Sequence, residues 1–453
     1  MSTQAIPIKI YPRLTRGRFN NWRVVAVLLT QLVYLGLPWL NWRGRQAVWF
    51  DLPGNQLHLF GLTLWPQDFV YLAALLIFCA IALFWWTALA GRLWCGFSCP
   101  QTVYTEIMTW IERWVEGKPR QRQTLDAASW SLRKLRLKAT SHGLMIAFSL
   151  VTGFTLVGYF VPIRTVAAAL PGGALTGWQW FWLLFYAGFT YLLAGRLRES
   201  VCKHMCPYAR FQGVMFDPDT LVVSYDAVRG EPRGALRKHD ADTARGDCVD
   251  CGLCVQVCPT GIDIRAGLQY ECIGCAACID ACDVVMDKLG APRGLIRFAT
   301  ENSMAGRVAE RDIPRRMLRP RVMMYSALML LVLAASAAML ALRTPFIVDV
   351  LRDRAFLVRE TPDGWLENGY TLHLVNTRST VQRVALGVTG LPGIRLADAP
   401  VLTLPPQADR TVQLRVQASP DAAGGGSHPI RFTVRSLSEP SLSHSEESRF
   451  IGE

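Results

Sequence analysis

Five stretches of the chain run apolar for long enough to cross a bilayer as helix, which takes roughly 17–25 residues. They cover residues 24–40, 69–90, 142–163, 178–194 and 322–342. Tryptophans crowd their ends (Trp22, Trp39, Trp42, Trp65, Trp178, Trp180 and Trp182), the place for an amphipathic ring at a headgroup boundary. Past residue 343 the pattern changes. Residues 369–376, 412–416 and 430–434 alternate apolar and polar, which predicts half-buried strands. Turn material separates them at Leu391-Pro392-Gly393, Pro405-Pro406 and Gly424-Gly425-Gly426. About 110 residues of such strands predict a β-sandwich of immunoglobulin size.

A shorter pattern follows the second apolar stretch. Val103, Ile107, Ile111 and Val115 fall four apart, and Tyr104, Met108 and Trp114 widen the same face. This predicts an amphipathic helix, lying on the membrane surface or packed on a soluble domain. Glu106, Glu112, Arg113 and Glu116 are assigned to its other faces.

The chain also repeats itself. The second apolar stretch ends Ala90-Gly91-Arg92-Leu93 and runs into Cys95-Gly96-Phe97-Ser98-Cys99-Pro100. The fourth ends Ala194-Gly195-Arg196-Leu197 and runs into Cys202-Lys203-His204-Met205-Cys206-Pro207. Two helical hairpins, each closed by Cys-x-x-x-Cys-Pro, predict a duplicated four-helix membrane core.

Charge gives the orientation. Residues 1–23 carry Lys9, Arg13, Arg16, Arg18 and Arg23 and no acid, and 91–141 carry nine Lys or Arg. The stretches 41–68 and 164–177 carry two and one. The positive-inside rule then places 1–23, 91–141 and 196–321 in the cytoplasm. The expected layout is a cytoplasmic segment at 1–23, a membrane core at 24–195 with a cytoplasmic loop at 91–141, and a cytoplasmic region at 196–320. A fifth transmembrane helix at 321–342 and a periplasmic sandwich at 343–453 follow. The net charge of +13 is then matched to anionic lipid rather than to nucleic acid. The fold class expected is a multidomain α-helical membrane protein with a soluble cysteine-rich domain and a C-terminal immunoglobulin-like β-sandwich.

Eight of the 13 cysteines lie between 248 and 282. They read Cys248-x-x-Cys251-x-x-Cys254-x-x-x-Cys258-Pro259 and Cys272-x-x-Cys275-x-x-Cys278-x-x-x-Cys282. This is the bacterial two-cluster ferredoxin spacing, in which three thiolates cap one [4Fe–4S] cube and the fourth reaches the other. One cluster is expected on Cys248, Cys251, Cys254 and Cys282, the other on Cys272, Cys275, Cys278 and Cys258. The domain is expected at about 240–300. A disulfide framework needs an oxidising compartment, and the charge rule puts this segment on the reducing side.

Cys95, Cys99, Cys202 and Cys206 are spaced i, i+4, so on a helix each pair shares a face. If the repeats pack together, four thiols converge at one mouth of the core. Soft thiolates select Cu(I), zinc or iron–sulfur, and His204 and Met205 lie inside the second motif. Cys79 is expected in the core, and His58, His142 and His373 in structural or surface roles. Glu106 is a weaker candidate for orienting or protonating a ligand.

Apolar helices, twin Cys-x-x-x-Cys-Pro motifs, a two-cluster ferredoxin, a last membrane helix and an outer sandwich occur in that order. The chain resembles the cytochrome c oxidase accessory proteins called CcoG, FixG or RdxA. Residues 94–106 and 269–283 are similar to that family's thiol and cluster motifs. The resemblance implies a bacterial inner-membrane protein that reduces Cu(II) to Cu(I) for the copper centre of cbb3-type cytochrome oxidase. It implies that Cys95, Cys99, Cys202 and Cys206 hold or receive copper and carry the reduction, fed by two [4Fe–4S] clusters. Implied partners are membrane lipid, oxidase subunits or copper chaperones and transporters, and a cytoplasmic electron donor. Two other classes stay open: a quinol-linked electron-transfer subunit, and an oxidase-assembly scaffold without enzymatic activity.

Overall fold

A computed structural model describes residues 10–235, 245–344, 346–353, 358–378, 380–398, 401–439 and 442–452. Lys9 and the expected start of the ferredoxin domain near 240 lie outside the described residues. The chain divides into two compact units, Met1–Ala334 and Ala335–Glu453.

Among the described residues, four helices are long and apolar enough to cross a membrane: Arg18–Trp39, Pro66–Ala90, Leu132–Phe160 and Pro320–Ala341. The remaining expected span is helical throughout but changes its winding. It is α-helical over Gly177–Thr190 and π-helical over Tyr191–Leu197. The Gln101 amide donates to the Leu193 and Arg198 carbonyls at 2.9 and 3.1 Å, meeting backbone acceptors at this change.

Leu132–Phe160 lies at the centre of the packing. Gly153 admits the Gly177–Thr190 helix so closely that a Cβ there would meet the Leu183 carbonyl at 2.3 Å. Tyr34 donates to the Thr152 carbonyl at 2.9 Å and Tyr159 to the Tyr34 carbonyl at 2.8 Å, which fasten the first helix alongside. The Phe69–Ala90 helix differs: it is apolar on every side, and most of it is unburied. Hydrocarbon satisfies such a helix without protein neighbours. Cys79 is therefore exposed on its surface rather than in a core. At its far end Trp85 donates to Ser326 of the last long helix at 2.8 Å.

The amphipathic helix forms over Pro100–Glu116 and packs on this bundle. Met108 is fully buried against Met145 and Ala194. The sequence assignment of its acids needs correcting. Glu112 and Glu116 are 2% and 6% exposed, because Glu112 is paired with the buried Arg122 and Arg198 and Glu116 with the partly buried Lys138.

In the cysteine-rich part, Val222–Tyr225 pairs antiparallel with Ile296–Ala299. Val223, Ile264, Ile279, Met286, Leu295 and Ile296 form its buried core. The helix Ala277–Leu289 runs through it. Asp280 on that helix accepts from the backbone amides of Phe19 and Asn20 at 3.2 and 2.7 Å. It caps the Arg18–Gly36 helix, whose own N-cap, Gly17, has no side chain to do so.

The second unit is a two-sheet sandwich. One sheet runs Arg395–Leu396, Asp409–Ala418, Leu366–Asn376, Phe346–Arg352, with Arg359–Glu360 also paired to Leu366–Asn376. The other runs Val401–Leu404, Gln382–Thr389, Ser427–Ser436, Ser443–Ile451. The three alternating stretches fall inside Leu366–Asn376, Asp409–Ala418 and Ser427–Ser436. Tyr370, Leu372, Leu414, Phe432 and Phe450 fill the space between the sheets.

Candidate metal and electron-transfer site

Each Cys-x-x-x-Cys-Pro motif is built the same way. A short helical turn carries the first cysteine: Leu93–Phe97 with Cys95, and Val201–Met205 with Cys202. The second cysteine is not on that turn. Cys99 and Cys206 are extended, with ψ of 129° and 110°, and each is the N-cap of the next helix. Pro100 and Pro207 occupy the first position of those helices. Proline disfavours helical backbone in the residue before it, so the paired sulfurs do not share one helix face as the spacing alone predicted.

The two motifs are nevertheless neighbours: Arg92, just before the first, donates to the Ala209 carbonyl, just after the second. Burial and Cys99 push the Cys95 thiol up to about 12, with a smaller contribution from Cys202. Burial, Cys99 and Cys206 push the Cys202 thiol up to about 11. Burial also raises Cys99, and Cys206 adds to it. Each motif thus contributes to the shifts in the other. Among the described residues no group of three or more His, Cys, Asp or Glu is drawn close enough to hold an ion. Cys95 donates to the Gln212 side chain at 3.5 Å, and Gln212, wholly buried, reaches Thr87 at 3.3 Å. His204 and Met205 are exposed.

The eight cysteines between 248 and 282 surround two cavities. One, with about 370 Å³ of empty space, is lined by Cys248, Cys251, Cys254 and Cys282. The second, about 340 Å³, is lined by Cys258, Cys272, Cys275 and Cys278, with Cys254 at its edge. The two motifs share their backbone geometry. Asp250 and Gly252 have φ of 49° and 64°; Gly274 and Ala276, at the equivalent places, have 66° and 59°. Recurrent left-handed residues turn successive amides toward one point and form an anion-binding nest. Burial raises the Cys254, Cys272, Cys275, Cys278 and Cys282 thiols, with Cys272 and Cys282 reaching about 12. Such thiols release their protons when a metal centre takes their place. Four sulfurs, a nest and an apolar wall fit a [4Fe–4S] cluster in each cavity. Cys251 is exposed and Cys275 buried, so the first cavity lies nearer solvent.

The buried cavity abuts the two thiol motifs, the first most closely. A Cβ on Gly96, inside the first thiol motif, would lie 2.7 Å from the Cα of Cys275. A Cβ on Gly274 would lie 3.1 Å from the Arg92 backbone. Cys95 packs in the same apolar cluster as Cys275 and Cys278. From the second motif, Lys203 donates to the Thr260 carbonyl at 2.6 Å, two residues beyond Cys258.

Sequence reasoning missed the charged frame around this junction. Glu112 is held by Arg122 and by both terminal nitrogens of Arg198, at 2.5 and 3.0 Å. Lys138 joins Glu116 and Asp126 at 2.7 and 2.5 Å. Glu106 accepts from Arg23 at 2.6 Å and from Trp110 at 3.0 Å. The only sequence signal was an amphipathic helix with glutamates four apart, 112 and 116, which also suits a solvated face. The histidines lie elsewhere. His58 is buried against Thr63 in the strand Gln56–Leu59, and burial and Arg45 lower it to about 4. His142 meets Tyr191 at 3.0 Å and His373 meets Asp409 at 3.1 Å.

Known proteins share these parts. The family model of a 4Fe-4S dicluster domain matches residues 197–301, and that of a 4Fe-4S binding domain matches 72–120. The model of the Ig-like fold at the C-terminal end of FixG matches 336–453. Nitrogen fixation protein FixG of Rhizobium meliloti is 36% identical over 450 residues, covering 90% of this chain and 86% of that protein. Protein RdxA of Cereibacter sphaeroides is 37% identical over 440 residues, covering 94% and 92%. The crystal structure of a FixG-related protein from Vibrio parahaemolyticus is 28% identical, with a TM-score of 0.22. The match covers 24% of this chain and 97% of that one.

Proposed function

The chain belongs to the FixG/RdxA family, and from that premise we propose that this membrane iron–sulfur protein reduces Cu(II) to Cu(I). The copper would serve the copper centre of a cbb3-type cytochrome oxidase. In this reading copper is substrate, and the clusters, when bound, supply reversible one-electron transfer. Cys248, Cys251, Cys254 and Cys282 hold one; Cys272, Cys275, Cys278 and Cys258 hold the other. The exposed Cys251 marks the side where an electron donor docks. Cys95, Cys99, Cys202 and Cys206 receive the copper, and soft thiolates retain it as Cu(I). The clusters and thiols lie on the cytoplasmic side and the sandwich on the periplasmic side, in keeping with the distribution of Lys and Arg.

The observation that carries the reading is the contact of Gly96 with Cys275. It leaves no side chain between the loop of Cys95 and the loop of the buried cavity. To test it, the full chain is reconstituted, its clusters are reduced, and Cu(II) is added. Changing all four thiols to Ala should slow cluster reoxidation at least about tenfold while both proteins keep about eight irons. Equal rates would refute the copper role.

A further inference from the structure

Beside Cys202, the first thiol of the second motif, lies a cavity with about 970 Å³ of empty space including its mouth. It opens between the N-terminal segment, the helix Pro100–Glu116 and the cysteine-rich part. Its wall carries Arg13, Arg23, Arg113, Arg122 and Arg198, together with Cys202. Two acids, Glu106 and Glu199, share the wall. Glu106 is already held by Arg23, and Glu112, behind the wall, by Arg122 and Arg198. The cations therefore outnumber the acids.

Two of these arginines have unused capacity. Arg122 is 1% exposed, and its Nε has no hydrogen-bond partner among the described residues. A buried donor left unmatched costs about 1–3 kcal/mol. Arg113 is half-buried and makes no ion pair among the described residues. Burial, Arg122 and Arg16 all lower its guanidinium, and Glu106 opposes them. Forked guanidinium groups match carboxylates in bidentate geometry.

We infer that this cavity binds a small polycarboxylate anion, and that copper reaches Cys202 as the anionic Cu(II) complex of such a ligand. The inference rests on the copper reading above. A bare divalent cation is repelled by this wall, whereas an anionic chelate is attracted. Oxygen donors hold Cu(II) and thiolates select Cu(I), so reduction itself drives the transfer. One electron from a reduced cluster converts Cu(II) to Cu(I). The copper–carboxylate bonds break, copper–sulfur bonds form, the carboxylates leave ionised, and the thiol protons pass to water.

Citrate is the probe. With copper-free, cluster-loaded full-length protein, calorimetry should show saturable citrate binding, weakened at least about tenfold by Arg113→Gln. Arg13→Gln should weaken it less, since Arg13 is exposed. No saturable binding, or binding unchanged in both variants, would overturn the site. Suppression of citrate binding when the protein is placed in nanodiscs of anionic lipid would instead assign the cavity to a headgroup and overturn the polycarboxylate. With reduced protein and Cu(II) citrate, Arg113→Gln should raise KM about tenfold and leave kcat unchanged. An unchanged KM would overturn the carrier role. Citrate binding by a protein whose clusters no Cu(II) complex oxidises would refute copper reduction and leave the anion site standing.

Discussion

Gly252 and Gly274 both take left-handed backbone in the cysteine loops, yet they differ in what surrounds them. A Cβ at Gly252 meets nothing within 4 Å, while one at Gly274 meets the Arg92 backbone at 3.1 Å. Ala276 already tolerates the left-handed conformation with a side chain. Gly252→Ala should therefore cost only the backbone term, about 1–2 kcal/mol. Gly274→Ala adds a collision and should lose its clusters at a lower temperature, as followed by their visible absorbance. Equal loss from both variants would contradict the close approach of Gly274 to Arg92. At this scale the cysteines were legible, because cluster binding fixes their spacing. Glu112 and Glu116 were not. A buried charge needs a partner from elsewhere in the chain, and Arg198 is 86 residues from Glu112.

Among the elements, the first long helix borrows its cap from Asp280. A helix leaves its first amides unmatched, and here a carboxylate on the helix Ala277–Leu289 accepts two of them. Asp280→Ala should cost about 1–2 kcal/mol locally. Hydrogen exchange of a peptide covering 18–24 should then rise about tenfold, while Asp280→Asn, which keeps an acceptor, changes it less. Exchange unaltered in Asp280→Ala would remove this role. The long helices and the sandwich strands were legible because their apolar periods are long and regular. The change to π winding at Tyr191 was not, since it conserves the apolar pattern. The break inside each thiol motif was written in its proline, but the four-residue spacing hid it.

For the whole molecule, the thiol loops and the cysteine-rich part meet through backbone at Gly96 and Cys275. Gly96→Ala puts a carbon 2.7 Å from the Cys275 Cα, so the loops must separate. Misplacement on the ångström scale costs up to about a hundredfold where reacting groups must meet. The variant should keep its iron and reoxidise with Cu(II) at least about tenfold more slowly. Wild-type rates with full iron content would show that electrons take another route. The duplication was legible in the sequence, but its partner was not: nothing in Cys-x-x-x-Cys-Pro announces which cavity it faces.

The cap on the first helix also has a meaning in time. Asn20 and Asp280 are 260 residues apart. During synthesis the start of that helix emerges long before its capping carboxylate exists. The amides of Phe19 and Asn20 gain their acceptor only after the cysteine-rich part has been made and folded against them. A helix made early in this chain is thus among the last to have its end completed.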